Sequence, residues 1–568
     1  MKRILLSLVA VAAPALLMAQ VTKQVEVTKP YEPMLEPAEK LSIAPDMTDT
    51  TQLRPEIDYT ITPLMLQTTL ATRPIRPAQL SYWEFNRPRP FYLKAGAGLP
   101  LQTEVDLHAA TQSPATGYAL GYLHHAGRFA KIENDFGQKK GATRMQNRVG
   151  GAAGYYLGRH LLEGGVDYTH HLCHRYGAHY PEEMIIPKDA VGYSNLDAVV
   201  RLGDDFQDLS RLNFDLRFDG ALLFDHTKPV AATEKGGQRQ GGMALRLARQ
   251  WGDHRLRLGA SYRILQGAKQ LDATKQQLLE VGMRYGTSTD HFRYEVGLDY
   301  LSDRFDGARD NSEHHLFPYA RFEFDLISDA VKPFVEIDGS CETNDYRRLL
   351  ALNPLLEAPV WLDRSTASWN ARGGLTGHSK NNRFYYRAYA AATLVDNQRY
   401  WLLPALDAAA PKEYAAGWLT PYLSGQTTFS LGGEVEYRPL SSLLFDAEVA
   451  FHAYKDDVKI EHGRPSMEGS VGVRYECRTI RCGARADFLG ERSWSIFDPA
   501  GDTLIYERLV GSYDAPFTVD LSLDFEWLMR AHTALYLKAN NLLSHDLYRL
   551  PTMPEYGANV MVGVRMAF

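Results

Sequence analysis

The chain has 568 residues and a net charge of -6, with both signs spread along its length, so no basic face for nucleic acid stands out. Its 4 cysteines fall far short of a disulfide-built scaffold. Beyond one apolar run at the N-terminus, no stretch is long and apolar enough for a spanning helix, so any membrane crossing must be made by strands.

In chain order, Lys2 and Arg3 precede an apolar run from Ile4 to Met18 and the small residue Ala19. These are the parts of a secretory signal peptide, assigned to residues 1–20. Residues 21–90 differ from all that follows. They carry prolines at 30, 33, 37, 45, 55, 63, 74, 77, 88 and 90 and no glycine, the first of the chain being Gly96. Proline fixes φ and removes a donor, so neither a long helix nor a central strand can run through this stretch. It reads as an extended arm with no folded domain, and with short strand pieces at Val25–Thr28 and Ile57–Ile61. Tyr31, Met34, Leu41, Tyr59, Leu64, Trp83 and Phe85 are more apolar than a spacer needs. The arm is therefore a candidate docking element for a periplasmic or outer-membrane partner protein.

From Phe91 to Phe568 the chain alternates apolar and polar residues with a period of two, the pattern of strands with one oily and one wet face. Leu212, Phe214, Leu216 and Phe218 oppose Asn213, Asp215, Arg217 and Asp219. Phe517, Val519, Leu521, Leu523, Phe525 and Trp527 oppose Asp520, Asp524 and Glu526. Val560, Val562, Val564, Met566 and Phe568 oppose Arg565, and the chain ends on that aromatic. Lipid outside and water inside require this pattern, so the fold class is all-β: a transmembrane antiparallel β-barrel with a proline-rich N-terminal periplasmic arm. The 32 Tyr and 45 Gly suit aromatic girdles and tight packing. Glu434, Glu436, Arg438, Glu448, Asp520, Asp524, Glu526 and Arg565 are the lumen-facing candidates.

Connections alternate in length. Short turns fall at Gly158–His160, Trp251–Asp253, Ser328–Val331, Ser379–Asn382, Arg438–Ser441, Thr479–Ile480 and Met529–Ala531. Long connections lie at 129–143, 174–188, 226–236, 345–365, 396–424, 456–465 and 492–514. Barrels of the outer membrane turn tightly on the periplasmic side and loop widely outside, with both termini in the periplasm. About twenty-one strands are evident, and closure needs an even number. A strand at Phe91–Gly98, turning at Leu99-Pro100, brings the count to about twenty-two, within a range of roughly 20 to 22. A barrel of that size has a wide lumen that the arm, the long loops or a partner protein must fill.

Candidate chemistry is sparse. A two-residue turn at Thr479-Ile480 sets Cys477 opposite Cys482, a candidate disulfide in an oxidising periplasm, with two free thiols as the alternative. Cys173 and Cys341 lack a sequence-local partner. His170 and His174 face opposite to His171 and Cys173 on a strand, so these residues do not converge on a metal. Tyr346–Pro359 is an apolar patch within a long loop, expected to form a short helix ended by Asn353-Pro354 and to pack inside the loop cap. No Ser-His pair is singled out by spacing, and Walker, dinucleotide and calcium-loop patterns are absent. No catalytic residue, cofactor or metal ligand is assigned, and the chain is not expected to be an enzyme.

The stretch Leu537–Phe568, LKANNLLSHDLYRLPTMPEYGANVMVGVRMAF, resembles the C-terminal end of TonB-dependent receptor barrels: an Asn-Asn-Leu turn, an aromatic and proline segment, and a last strand ending in Phe. The resemblance covers the barrel, 91–568, and not residues 21–90, which as a periplasmic arm hold no folded plug of the kind such receptors carry before the barrel. It implies twenty-two strands, residence in the Gram-negative outer membrane in contact with its lipid, and a C-terminal signal at Phe568 read by the barrel assembly machinery. Transport of a solute across the outer membrane is the function it implies. The alternative is a structural or accessory subunit of an assembly or secretion complex, docking through its arm.

Overall fold

The computed structural model describes residues 89–568, apart from 112–115, 136, 178–189, 228–234, 290, 308–309, 328, 355, 357–358, 406–418, 501–502 and 531. The signal peptide and nearly all of the arm lie outside the described residues. Within them, twenty-two antiparallel strands close into one barrel. No helix among the described residues is long and apolar enough to cross a membrane.

Closure is made by the strand that alternation signalled least. Phe91–Leu99 pairs with Gln102–Ala110 on one side and with the last strand, Asn559–Ala567, on the other, from Tyr92–Ala567 to Leu99–Val560. Phe91 and Phe568 exchange two backbone hydrogen bonds of 3.0 Å, and their rings stack at 5.6 Å. The first and last strands of the barrel therefore pair with each other and close the sheet on itself, which a barrel in lipid requires.

The oily face points outward. Leu523, Phe525 and Trp527 are 42%, 41% and 46% exposed, while residues between them engage partners on the inner face. Aromatic side chains collect at the short-turn end: Phe292 stacks on Phe322 at 6.4 Å and Phe384 meets Tyr437 edge to face. Such rings sit well at a lipid–water boundary.

One ladder is incomplete. Asn311–Phe324 and Lys332–Glu342 pair only from Ala320–Ile337 to Glu323–Phe334. Above that, Pro318 offers no N–H to the ladder. The Trp369 indole, one strand further on, reaches across and donates to the Leu316 carbonyl at 2.9 Å.

Three expectations from the sequence are corrected. The segment 396–424 is not simply a connection: Phe384–Pro404 and Thr420–Leu440 run on as a long hairpin past a bulge between Val395 and Gln398. Tyr400, Leu402 and Leu403 are fully buried there, so both faces are covered and alternation disappears. Likewise 492–514 carries two strands, Arg492–Phe497 and Leu509–Ala515, the first pairing in parallel with Leu403 and Pro404. Finally, the turn after Glu476 closes on Cys477 and Ile480, one residue earlier than expected. That slip sets Cys482 opposite Tyr475, not opposite Cys477, and both thiols are free. Cys477→Ser with Cys482→Ser is expected to leave the thermal unfolding of the barrel unchanged, with identical gel mobility of the parent under reducing and non-reducing conditions. A bonded pair would shift both.

Candidate functional site: the inner wall and the mouth

Inward-facing polar residues form ion pairs from strand to strand around the wall. Lys94 and Lys538 meet Glu104, Arg148 and Tyr122 meet Asp167, and Arg201 meets Asp215. Arg257 pairs with Glu295, and Arg284 with Asp299 at 2.9 Å. Arg485 holds Asp487 at 2.8 Å, Asp446 at 3.4 Å and Glu448 at 3.5 Å. Glu336 is shared by Arg387 at 3.3 Å, Arg321 at 3.8 Å and Arg372 at 4.0 Å. Charges left in a partly dry interior cost free energy unless they are paired, and the pairing is nearly continuous.

The residues singled out in the sequence distribute over this wall. Glu434 accepts from the Tyr385 hydroxyl at 3.1 Å, Glu448 joins Arg485, and Asp520 accepts the Asn541 amide at 2.9 Å. These three border one cavity of about 590 Å³. The others stand elsewhere: Glu436 pairs with Arg438 at 3.9 Å, Glu526 with Arg565 and with Arg481 at 3.8 Å, and Asp524 lies against Gly483. Arg372, Arg387, Tyr389 and Arg492 also line the cavity and were missed. Tyr389 lies flat over Gly432, where an added Cβ would stand 2.5 Å from its hydroxyl, so that glycine makes room for the ring. A lone arginine in a glycine-rich strand such as Thr366–His378 gives no alternating signal, and Arg492 sits in a segment that reads as loop.

The long-loop end is packed across. Between the strands Lys332–Glu342 and Thr366–His378 a short helix, Tyr346–Leu352, is capped by the Asp345 side chain and ends at Asn353, as the proline after it demands. The segment crosses the mouth to distant strands. The Tyr346 hydroxyl donates to Asp225 at 2.8 Å, Gln238 donates to Asp345 at 2.7 Å, and Arg347 grips Asp197 at 2.7 and 2.9 Å. Leu349 is fully buried beside Tyr193, Leu223 and Leu271. From the other side, Asp135 accepts from Tyr513 at 2.6 Å and from Tyr548 at 2.8 Å. Burial and the neighbouring carboxylates push both Tyr346 and Tyr513 far above the ordinary tyrosine range, so each remains a donor. His170 shares the Ser194 hydroxyl with His226, at 3.0 and 2.7 Å, while His171 stacks on Tyr193 at 4.6 Å. The histidines are thus tied into wall contacts on opposite faces.

A closed antiparallel barrel with an apolar outer belt and a charged, ion-paired inside defines a transmembrane barrel of the outer-membrane type. No family model and no curated protein matches the sequence. Solved structures match in fold. The ferripyoverdine receptor of the outer membrane of Pseudomonas aeruginosa aligns with a TM-score of 0.61 at 12% identity, over 85% of this chain and 72% of that one. The FrpB iron transporter from Neisseria meningitidis aligns at 0.63 and 10% identity, over 85% and 82%. The siderophore receptor PirA from Acinetobacter baumannii aligns at 0.63 and 8%, over 84% and 80%. The barrel has the fold of TonB-dependent outer-membrane receptors, and the resemblance read from Leu537–Phe568 holds at the level of fold.

Proposed function

We propose that this chain moves a solute across the outer membrane, with the ion-paired inner wall as its route and the packed loops as its gate. The observation that carries this reading is a charged wall with a cavity of about 590 Å³ in it, together with a loop segment packed across the mouth by buried contacts. A barrel serving only as a scaffold has no need of an interior lined by balanced charge. In this reading the long-loop end faces the outside, and Glu434, Glu436, Arg438, Glu448, Asp520, Asp524, Glu526 and Arg565 tune selectivity. Residues 21–90 lie on the periplasmic side and either fill the lumen or recruit the protein that does. The apolar belt meets outer-membrane lipid, and Phe568 presents the C-terminal signal to the barrel assembly machinery. The reading involves no chemical transformation of the solute.

Proteoliposomes carrying the full chain, or the chain lacking residues 21–90, test it. Solute uptake above that of empty liposomes is expected, and faster for the shortened chain if the arm fills the lumen. Uptake equal to empty liposomes in both cases, together with loss of co-purifying proteins on removing the arm, would replace transport with a scaffold role.

A further inference from the structure

One cation in the cavity wall has no counter-ion. Arg492 begins the inner hairpin strand Arg492–Phe497 and borders the cavity under the mouth, beside Thr518 and Tyr548. It is 7% exposed. Its Nε–H makes no hydrogen bond, and among the described residues no carboxylate stands within ion-pair distance. Its guanidinium stacks on the Trp494 ring at 5.3 Å, a contact that orients the plane without neutralising it.

The carboxylates of the same cavity are already engaged. Glu448 and Asp487 belong to Arg485, Glu468 to His452 at 3.4 Å, Asp520 to the Asn541 amide and Glu434 to Tyr385. A buried guanidinium without a partner is costly, and its planar fork of donors matches a carboxylate or a phosphate. The geometry points to an anion-binding site at Arg492: the oxyanion of a solute, carboxylate or phosphate, seats on this side chain at the cavity wall. This names the chemical class of ligand for the transport reading and rests on that reading for its purpose, though binding itself does not require flux.

The test uses full-length protein in detergent, with melting followed as citrate or inorganic phosphate is added and sodium chloride matched for ionic strength. Saturable stabilisation by one or both anions is expected in the parent, absent in Arg492→Gln and partly kept in Arg492→Lys. In anion-free buffer Arg492→Gln should melt no lower than the parent, since it removes an unpaired buried charge. Heat-modifiable gel mobility verifies that each variant is a folded barrel. The proposal is overturned if Arg492→Gln responds as the parent does, or if neither anion acts beyond chloride. A citrate response without phosphate response identifies a carboxylate ligand, and the reverse a phosphate. Failure of liposome uptake with the anion response intact would sink transport and leave the site standing.

Discussion

Leu349→Ala is expected to loosen the helix Tyr346–Leu352 from the mouth. Leu349 is fully buried in a cluster that joins Tyr346, Leu350 and Leu356 of its own loop to Tyr193, Leu223 and Leu271 of the wall and a wall-end turn. Truncating a leucine in such a site costs about 3 kcal/mol, within a range of roughly 2–5, because the cavity left behind does not collapse. At about 1.4 kcal/mol per factor of ten, that is roughly a hundredfold in the ratio of docked to undocked segment. Amide hydrogen exchange at 346–352 should speed up by that factor while exchange in the barrel strands stays as it was. Unchanged exchange would show that Arg347–Asp197 and Tyr346–Asp225 hold the segment without the apolar anchor. If the segment gates the lumen, the same variant should also show more frequent conducting openings in planar bilayers.

Glu336→Leu should destabilise the barrel strongly. Three guanidiniums, of Arg321, Arg372 and Arg387, converge on this one carboxylate, and it is largely buried with only 12% of its side chain exposed. Removing one partner of a buried pair leaves charge without compensation, at about 3–5 kcal/mol. The temperature at which the folded band disappears on a semi-native gel should fall accordingly. Adding Arg387→Met, which deletes one of the stranded charges while keeping an unbranched apolar side chain over Phe334, should restore part of the loss. Equal melting of Glu336→Leu and the parent would mean that water already screens this cluster.

Much of this architecture is legible in the residues because lipid imposes a rule on every strand. Phe292, Tyr294, Val296 and Leu298 must face hydrocarbon, so period two survives in Phe292–Asp306 and marks the strand. The closing strand, Phe91–Leu99, reads FYLKAGAGL; its small residues dilute the pattern, and parity of the count was the stronger clue. Where a strand leaves the membrane the rule lapses. Tyr400, Leu402 and Leu403 pack on both faces against neighbouring loops, so nothing periodic separates them from a connection.

The site was less legible for a related reason. Acidic residues such as Glu434 and Asp520 stand out on alternating strands, yet which of them share a cavity depends on neighbours many strands away. Arg492 faces the same cavity from within a loop, and its lack of a counter-ion is a property of the assembled wall, invisible in order along the chain.

The residues alone determined that this chain forms a barrel, that about 20 to 22 strands close it and which faces meet lipid, since those follow from local alternation and from the parity that closure demands. Only the tertiary structure decided how the loops cross the mouth, which charges share partners and where one cation is left alone. Those outcomes are set by long-range packing, where a side chain's energy depends on what the fold brings to its side and not on its neighbours in sequence.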